Sequence, residues 1–327
     1  MTQTPAPFGS RTAAANGGMV DPAALMKIRS MELRAKGIVQ GFLRGIHRSP
    51  YHGFSVEFTE YRQYSVGDEP RYIDWRVYAR SDRFYIKKFE DETNLRCHLL
   101  IDHSRSMSYG STGYTKSQYA GTLAATLAYF LFTQGDAVGL ATFDDRIGQY
   151  LPPRNRPSYL RRLMLALDTE PQGRATDLGP PLQRLAQMLT KRGLIVLVSD
   201  LLASIDWLES DLGYLAAGGH DVVVFQVLDP TELNFDFDTP AVFRDIESGR
   251  DMYVDPPAAQ KGYKRMLETH LATARTACRR LGIDYHLFAT DRPFDLALLE
   301  FLQDRMRRRQ IRRAQGAPMH GGIGRRT

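Results

Sequence analysis

From residue 95 onward the chain alternates two hydrophobic patterns. Short runs rich in leucine and β-branched residues carry apolar side chains almost without a break: 95–101 (LRCHLLI), 137–143 (AVGLATF), 193–200 (GLIVLVSD), 221–229 (DVVVFQVLD) and 283–290 (IDYHLFAT). Such runs read as strands, and GLIVLVSD has the continuous character of a strand buried on both faces. Between them lie stretches of helical period at 116–134, 157–167, 182–191, 206–217, 258–281 and 295–309. Their ends carry matching punctuation: Gly135 stops the first, Pro157 opens the second where its missing N–H costs nothing, and Gly218 and Gly219 stop the fourth. The rhythm predicts an α/β protein, a sheet layer covered by helices.

Two segments break the rhythm. Residues 20–92 begin with an amphipathic helical stretch, ALMKIRSMELRAKGIVQGFLRG, and continue with alternating runs such as FSVEFTEYRQY and RFYIKKFED, which predict a small antiparallel β subdomain beside the helix. Residues 230–257 insert aromatic alternation around an SGRD turn signal, which predicts a β-hairpin insertion. The chain thus divides into a disordered lead-in (1–19), the helix and β subdomain (20–92), the α/β domain with its hairpin (93–304) and a basic, disordered tail (305–327).

Composition adds limits. The longest apolar runs fall short of the roughly 20 residues that span a bilayer, and the first residues lack a signal peptide's basic cluster and apolar stretch, so a cytoplasmic location is expected. Cys97 and Cys278 do not make a disulfide framework and are expected to be buried thiols. The net charge of +6 belongs to the tail: residues 305–327 hold eight arginines and no acid, leaving 35 basic residues against 37 acidic elsewhere. Nucleic-acid binding through that tail would be strongly salt-dependent and abolished by its deletion. A solvated, frayed terminus is the plainer reading.

The candidate chemistry begins at HLLIDHSRSMSYG, residues 98–110. Open α/β sheets present ligands at the carboxyl ends of their strands. In an extended loop, positions i, i+2 and i+4 project to one side, so Asp102, Ser104 and Ser106 aim three hard oxygens at one point while His103 and Arg105 turn away. That chemistry suits Mg²⁺, or Mn²⁺, with waters and a ligand's oxygen in the remaining positions. Two more groups stand at suitable places: Thr176, in the GRATDL loop ahead of a helix, and Asp200, at the end of the buried strand LIVLVSD.

The set Asp102, Ser104, Ser106, Thr176 and Asp200 resembles the metal-ion-dependent adhesion site of von Willebrand factor A domains: DxSxS, then a separated Thr, then a separated Asp. That resemblance implies a von Willebrand factor A-like, Rossmann-like doubly wound fold with a mostly parallel sheet. It also implies that the two serines and Thr176 approach the metal directly, that Asp102 and Asp200 act largely through water, and that a partner's Glu or Asp fills the sixth position. The preceding run FTEYRQYSVGDEPRYIDWRVYARSDRFYIKKFEDE, with its GDxxRxIDW block, resembles the bacterial family called domain of unknown function 58 over roughly residues 25–300. Members of that family are typically paired with MoxR-type AAA ATPases, which implies a chaperone-like or assembly role toward a client protein.

Plainer and enzymatic readings stand beside this one. Asp and Ser after a strand commonly cap a following helix. In the GDxxRxIDW block, Arg71 and Arg76 read as partners of nearby carboxylates and Trp75 as packing beneath the β subdomain. Asp144 and Asp145 read as a turn between strands. An aspartyl phosphatase would want an acid where Ser104 stands. No GxSxG, GxxxxGK[ST] or GxGxxG motif is present, and the histidines show no HxxxH or HxH pairing for zinc. The sequence therefore favours a non-enzymatic, metal-dependent protein-interaction module over a metal-assisted hydrolase of phosphates or esters, which would need a general base.

Overall fold

A computed structural model describes residues 21–48, 60–63, 78, 85–88, 95–171, 173, 178–202, 205–237, 239–244 and 249–302. In chain order the elements are α1 (Pro22–Met26), α2 (Met31–Arg48), β1 (Glu60–Gln63), β2 (Tyr85–Lys88), β3 (Arg96–Asp102), α3 (Lys116–Thr133), β4 (Ala137–Phe143) and β5 (Ile147–Arg154). They continue with α4 (Pro157–Leu167), α5 (Gly179–Met188), β6 (Leu194–Ser199), α6 (Ile205–Ala217), β7 (Asp221–Leu228) and α7 (Pro230–Asn234). The hairpin β8 (Ala241–Arg244) and β9 (Asp251–Val254), α8 (Pro256–Arg280) and β10 (Asp284–Ala289) follow, and a last helix, α9, runs over 294–302.

Six strands form the central sheet in the order β10-β7-β6-β3-β4-β5. All neighbours are parallel except β4 and β5, which run antiparallel. The chain starts in the middle at β3, winds outward to β5, then crosses back and winds the other way from β6. The sheet is therefore doubly wound, with its topological switch point between β3 and β6.

Alternation along the strands feeds two cores. Cys97, Leu99 and Ile101 of β3, with Leu194, Val196 and Val198 of β6, pack on the side of α2, α3, α4 and α9. Leu100 of β3, with Ile195 and Leu197 of β6, packs on the side of α5, α6 and α8. Burial on both faces is why these strands read as unbroken apolar runs. Cys97 and Cys278 are buried thiols, one in each core.

The helix expected within 20–92 belongs to the first core: Ala35, Ile38, Val39 and Phe42 of α2 are buried there, and the Arg34 guanidinium donates to Thr122 Oγ1 of α3 at 2.9 Å. Of the β part, β1 and β2 pair antiparallel; the GDxxRxIDW block lies outside the described residues, as do 1–20 and 303–327. The insertion expected over 230–257 opens as the short helix α7, and its later part is the hairpin β8–β9, with Arg244 facing Asp251 across it at 2.7 Å. Among the described residues, no helix is long and apolar enough to cross a membrane.

Candidate metal site at the switch point

Asp102 is the last residue of β3 and is fully buried. Its Oδ1 accepts the Ser104 amide at 2.8 Å and its Oδ2 accepts the Ser199 hydroxyl at 2.5 Å. Ser199 ends β6, the neighbouring strand, so the switch point itself is stitched at this carboxylate. Burial first, and the nearby charge of Asp200 second, push the Asp102 carboxyl up to about 7, against the hydrogen bonds from Ser199 and Ser104.

The stretch after Asp102 is not the extended loop that the alternate spacing suggests. Ser104 is extended (φ −60°, ψ 160°), but Arg105–Ser108 form one turn of 3₁₀ helix. Such tight turns accompany segments that must change direction within a few residues. Ser106 still meets Ser104, their hydroxyl oxygens lying 3.0 Å apart. The turn is held in place by its surroundings: the His103 amide donates to the Phe143 carbonyl at 2.7 Å, and Met107 is fully buried.

Asp200, just past β6, is also fully buried. Its Oδ1 accepts the Leu202 amide at 3.2 Å and its carbonyl accepts Gln226 Nε2 at 2.7 Å. Leu201 beside it takes a left-handed backbone with φ 52°, a conformation that a branched side chain adopts at a cost. It is fixed by Ser199 Oγ, which accepts its amide at 3.0 Å, and by His270 Nε2, 2.8 Å from its carbonyl. Thr176 lies outside the described residues; nearby in sequence, the Gly173 amide reaches the His103 carbonyl at 3.2 Å. Of the five expected residues, the structure thus gathers Asp102, Ser104, Ser106 and Asp200 around one end of two adjacent strands. Asp144 and Asp145 form the turn from β4 to β5, with Asp144 Oδ1 accepting the Arg146 amide.

The structure adds residues that the motif does not contain. Lys116, the first residue of α3, is fully buried, and its Nζ lies 2.9 Å from Asp200 Oδ2 and 2.7 Å from Glu232 Oε1. Burial works against this ammonium, but the charges of Asp200 and Glu232 and their hydrogen bonds outweigh it and raise its pKa. Glu232 belongs to α7, where its Oε2 accepts the Asp229 amide at 2.8 Å in a capping box. Asp229 in turn accepts from the Ser111 hydroxyl at 2.5 Å and the Ser111 amide at 2.8 Å, while the Tyr109 hydroxyl sits 2.7 Å from Thr231 Oγ1. Against burial, the hydrogen bonds that Asp229 accepts from Ser111 and from the Thr231 amide and hydroxyl hold its carboxyl below the usual range. The site loop is thereby clipped to the β7–α7 junction. One sequence signal could have drawn attention to Lys116: a cation at the start of a largely apolar helix stands where the helix dipole disfavours it.

Chemically, the described donors are rich in hydroxyls. No group of three or more His, Cys, Asp or Glu among the described residues is arranged to hold a metal. Two hydroxyls 3.0 Å apart match the edge of an octahedron around Mg²⁺, whose ligands at 2.0–2.1 Å leave neighbouring oxygens about 2.9 Å apart. Behind them stand two buried carboxylates, and the charge of Asp200 raises the cost of ionising Asp102, an arrangement a divalent cation relieves. The residues present therefore fit a small, hard cation. His103, whose pKa burial lowers, makes no hydrogen bond to Ser104 or Ser106 among the described contacts.

A family model described as "Protein of unknown function DUF58" matches residues 60–273. An uncharacterized protein of Mycobacterium tuberculosis is 28% identical over 296 residues, covering 89% of this chain and 92% of that protein. An uncharacterized protein of Mycobacterium avium is 27% identical over 156 residues, covering 47% and 90%. Among solved structures, the conserved hypothetical protein BatB from Bacteroides thetaiotaomicron matches at a TM-score of 0.44 with 16% identity, over 65% of this chain and 99% of that one. The SpRpn10 VWA domain matches at 0.37 with 13% identity, over 63% and 94%. Both are likenesses at low identity; the chain's own doubly wound, mostly parallel sheet is the arrangement that the von Willebrand factor A resemblance implies.

Proposed function

The chain belongs to the DUF58 family, and with that as premise we propose that it is a non-enzymatic, divalent-metal-dependent protein-interaction module. The observation that carries the reading is the pair of hydroxyls on Ser104 and Ser106, 3.0 Å apart at the switch point with Asp102 buried directly behind them. In this reading Ser104, Ser106 and Thr176 hold Mg²⁺ or Mn²⁺, and Asp102 and Asp200 accept hydrogen bonds from its waters. The ion supplies a Lewis-acidic position for one oxygen of a partner's Glu or Asp. The protein's own part is to fix the hydroxyls, through the 3₁₀ turn and the Asp102–Ser104 bond, so that a docking carboxylate meets a formed site.

The resemblance of the segment before β3 supports a MoxR-type AAA ATPase as the companion, with remodelling or assembly of a client protein as the joint task. The test is capture of a purified MoxR-type ATPase by the full chain, in Mg²⁺, in EDTA, and with Asp102→Ala. Capture lost in EDTA and in the variant supports the reading. Equal capture in all three, by folded protein, removes the metal from it. Turnover of generic phosphate or ester substrates that disappears in Asp200→Ala would instead establish a hydrolase.

A further inference from the structure

Lys116 places a positive charge inside a site proposed to bind a cation. Its Nζ is fully buried and hydrogen-bonded to two carboxylates, Asp200 Oδ2 at 2.9 Å and Glu232 Oε1 at 2.7 Å. Neither its position nor its surroundings favour it otherwise: the start of a helix repels cations, and a dry interior penalises any charge. Capping of α3 does not require it, since Thr115 and Gln118 already form a capping box there. Nor is it mobile, because Glu232 is held from its other oxygen by the Asp229 amide and from its carbonyl by the Tyr263 hydroxyl at 2.8 Å.

The arrangement has two effects on the site. It engages Asp200 Oδ2, while Oδ1 is engaged by the Leu202 amide, so neither oxygen is left fully free for direct coordination. It also sets the local charge: Asp102, Asp200 and Glu232 against one ammonium leave two negative charges when all are ionised, whereas without Lys116 there would be three.

We infer that Lys116 is a positioning residue that weakens the site's grip on a divalent cation, holding Asp200 in the outer sphere and keeping metal binding exchangeable. The inference rests on the metal reading of the site given above. A weakly held, incompletely satisfied ion is the kind that gains most from a partner's carboxylate, so Lys116 makes metal and partner binding depend on each other.

The test is titration of the full chain with Mn²⁺, followed by the electron paramagnetic resonance signal of the free ion and by calorimetry. Lys116→Met should bind Mn²⁺ at least about tenfold more tightly than the wild type, since a neighbouring positive charge is removed and Asp200 is released. Because Lys116→Met leaves two buried acids without their lysine, the double variant Lys116→Met/Glu232→Gln is the companion: Gln keeps the acceptor for the Asp229 amide, and of the two acids that Lys116 bridges only Asp200 keeps its charge. It too should bind more tightly than the wild type. Glu232→Gln alone should bind more weakly, because Lys116 then faces Asp200 by itself. A merely structural lysine predicts weaker binding in every variant. Wild type that binds while neither Lys116 variant binds more tightly overturns the inference and leaves the metal reading standing. Wild type that binds no Mn²⁺ overturns the metal reading, and the inference with it.

Discussion

At position 110 the chain has no room for a side chain: a Cβ there would lie 2.0 Å from the Tyr114 carbonyl oxygen and 2.8 Å from the Thr115 Cα. Both obstacles are backbone, so Gly110→Ala must push apart the loop that leads from the serines into α3. We expect it to cost about 2 kcal/mol or more in urea unfolding and to weaken Mn²⁺ binding without touching any donor. His98 makes a second prediction at this scale. It lies buried on β3, and burial, with smaller contributions from His220 and Arg96, lowers its pKa to about 4. The unfolded chain therefore binds a proton, near the ordinary histidine value of 6.5, that the folded chain refuses. Its contribution to stability is fully present above about 6.5 and is lost as the pH falls toward 4, on the order of 3 kcal/mol. His98→Leu should flatten the stability profile across that window. Sequence spacing exposed Asp102, Ser104, Ser106 and Asp200 because each sits at the end of an apolar run. Glu232 and Ser199 were not exposed, because what gives them a role is a contact to a residue about 100 positions away.

Among the elements, α3 shows how far pattern reading goes. Its apolar residues run round the whole helix, and nearly all are buried, as a central helix requires. Thr115 and Gln118 begin it with a capping box, so Thr115→Ala should cost about 1 kcal/mol by thermal or urea unfolding. The hairpin was legible in the same way, from alternation around a turn signal, and β8 and β9 pair as that pattern demands. Its Arg244–Asp251 pair is largely exposed and screened by solvent, so Asp251→Asn should leave the urea-unfolding midpoint essentially unchanged. The antiparallel direction of β5 follows from its connection: residues 144–146 are too few for the crossover that a parallel strand needs. The 3₁₀ turn at Arg105–Ser108 was hidden, since nothing in SRSMS separates an extended loop from a single tight turn.

For the molecule as a whole, the order β10-β7-β6-β3-β4-β5 is what turns separated motifs into one place. Strand identities could be read from composition and length. Their order could not, because neighbour choice depends on packing across both faces of the sheet; the family resemblance implied only that the sheet is doubly wound and mostly parallel. If the site binds metal as proposed, saturating Mg²⁺ at 100 times its dissociation constant should stabilise the fold by about 2.7 kcal/mol, visible as a rise in melting temperature. Asp102→Ala should abolish that rise while retaining cooperative unfolding. The position of the switch point also carries a consequence for biosynthesis. A ribosome delivers β3 and its serines early, but Ser199, Asp200 and Glu232 emerge only after about 100 further residues. Until then the nascent chain can close the β3–β4–β5 side and cannot close the centre, so the parts of the site meet only after β6 and then α7 have emerged.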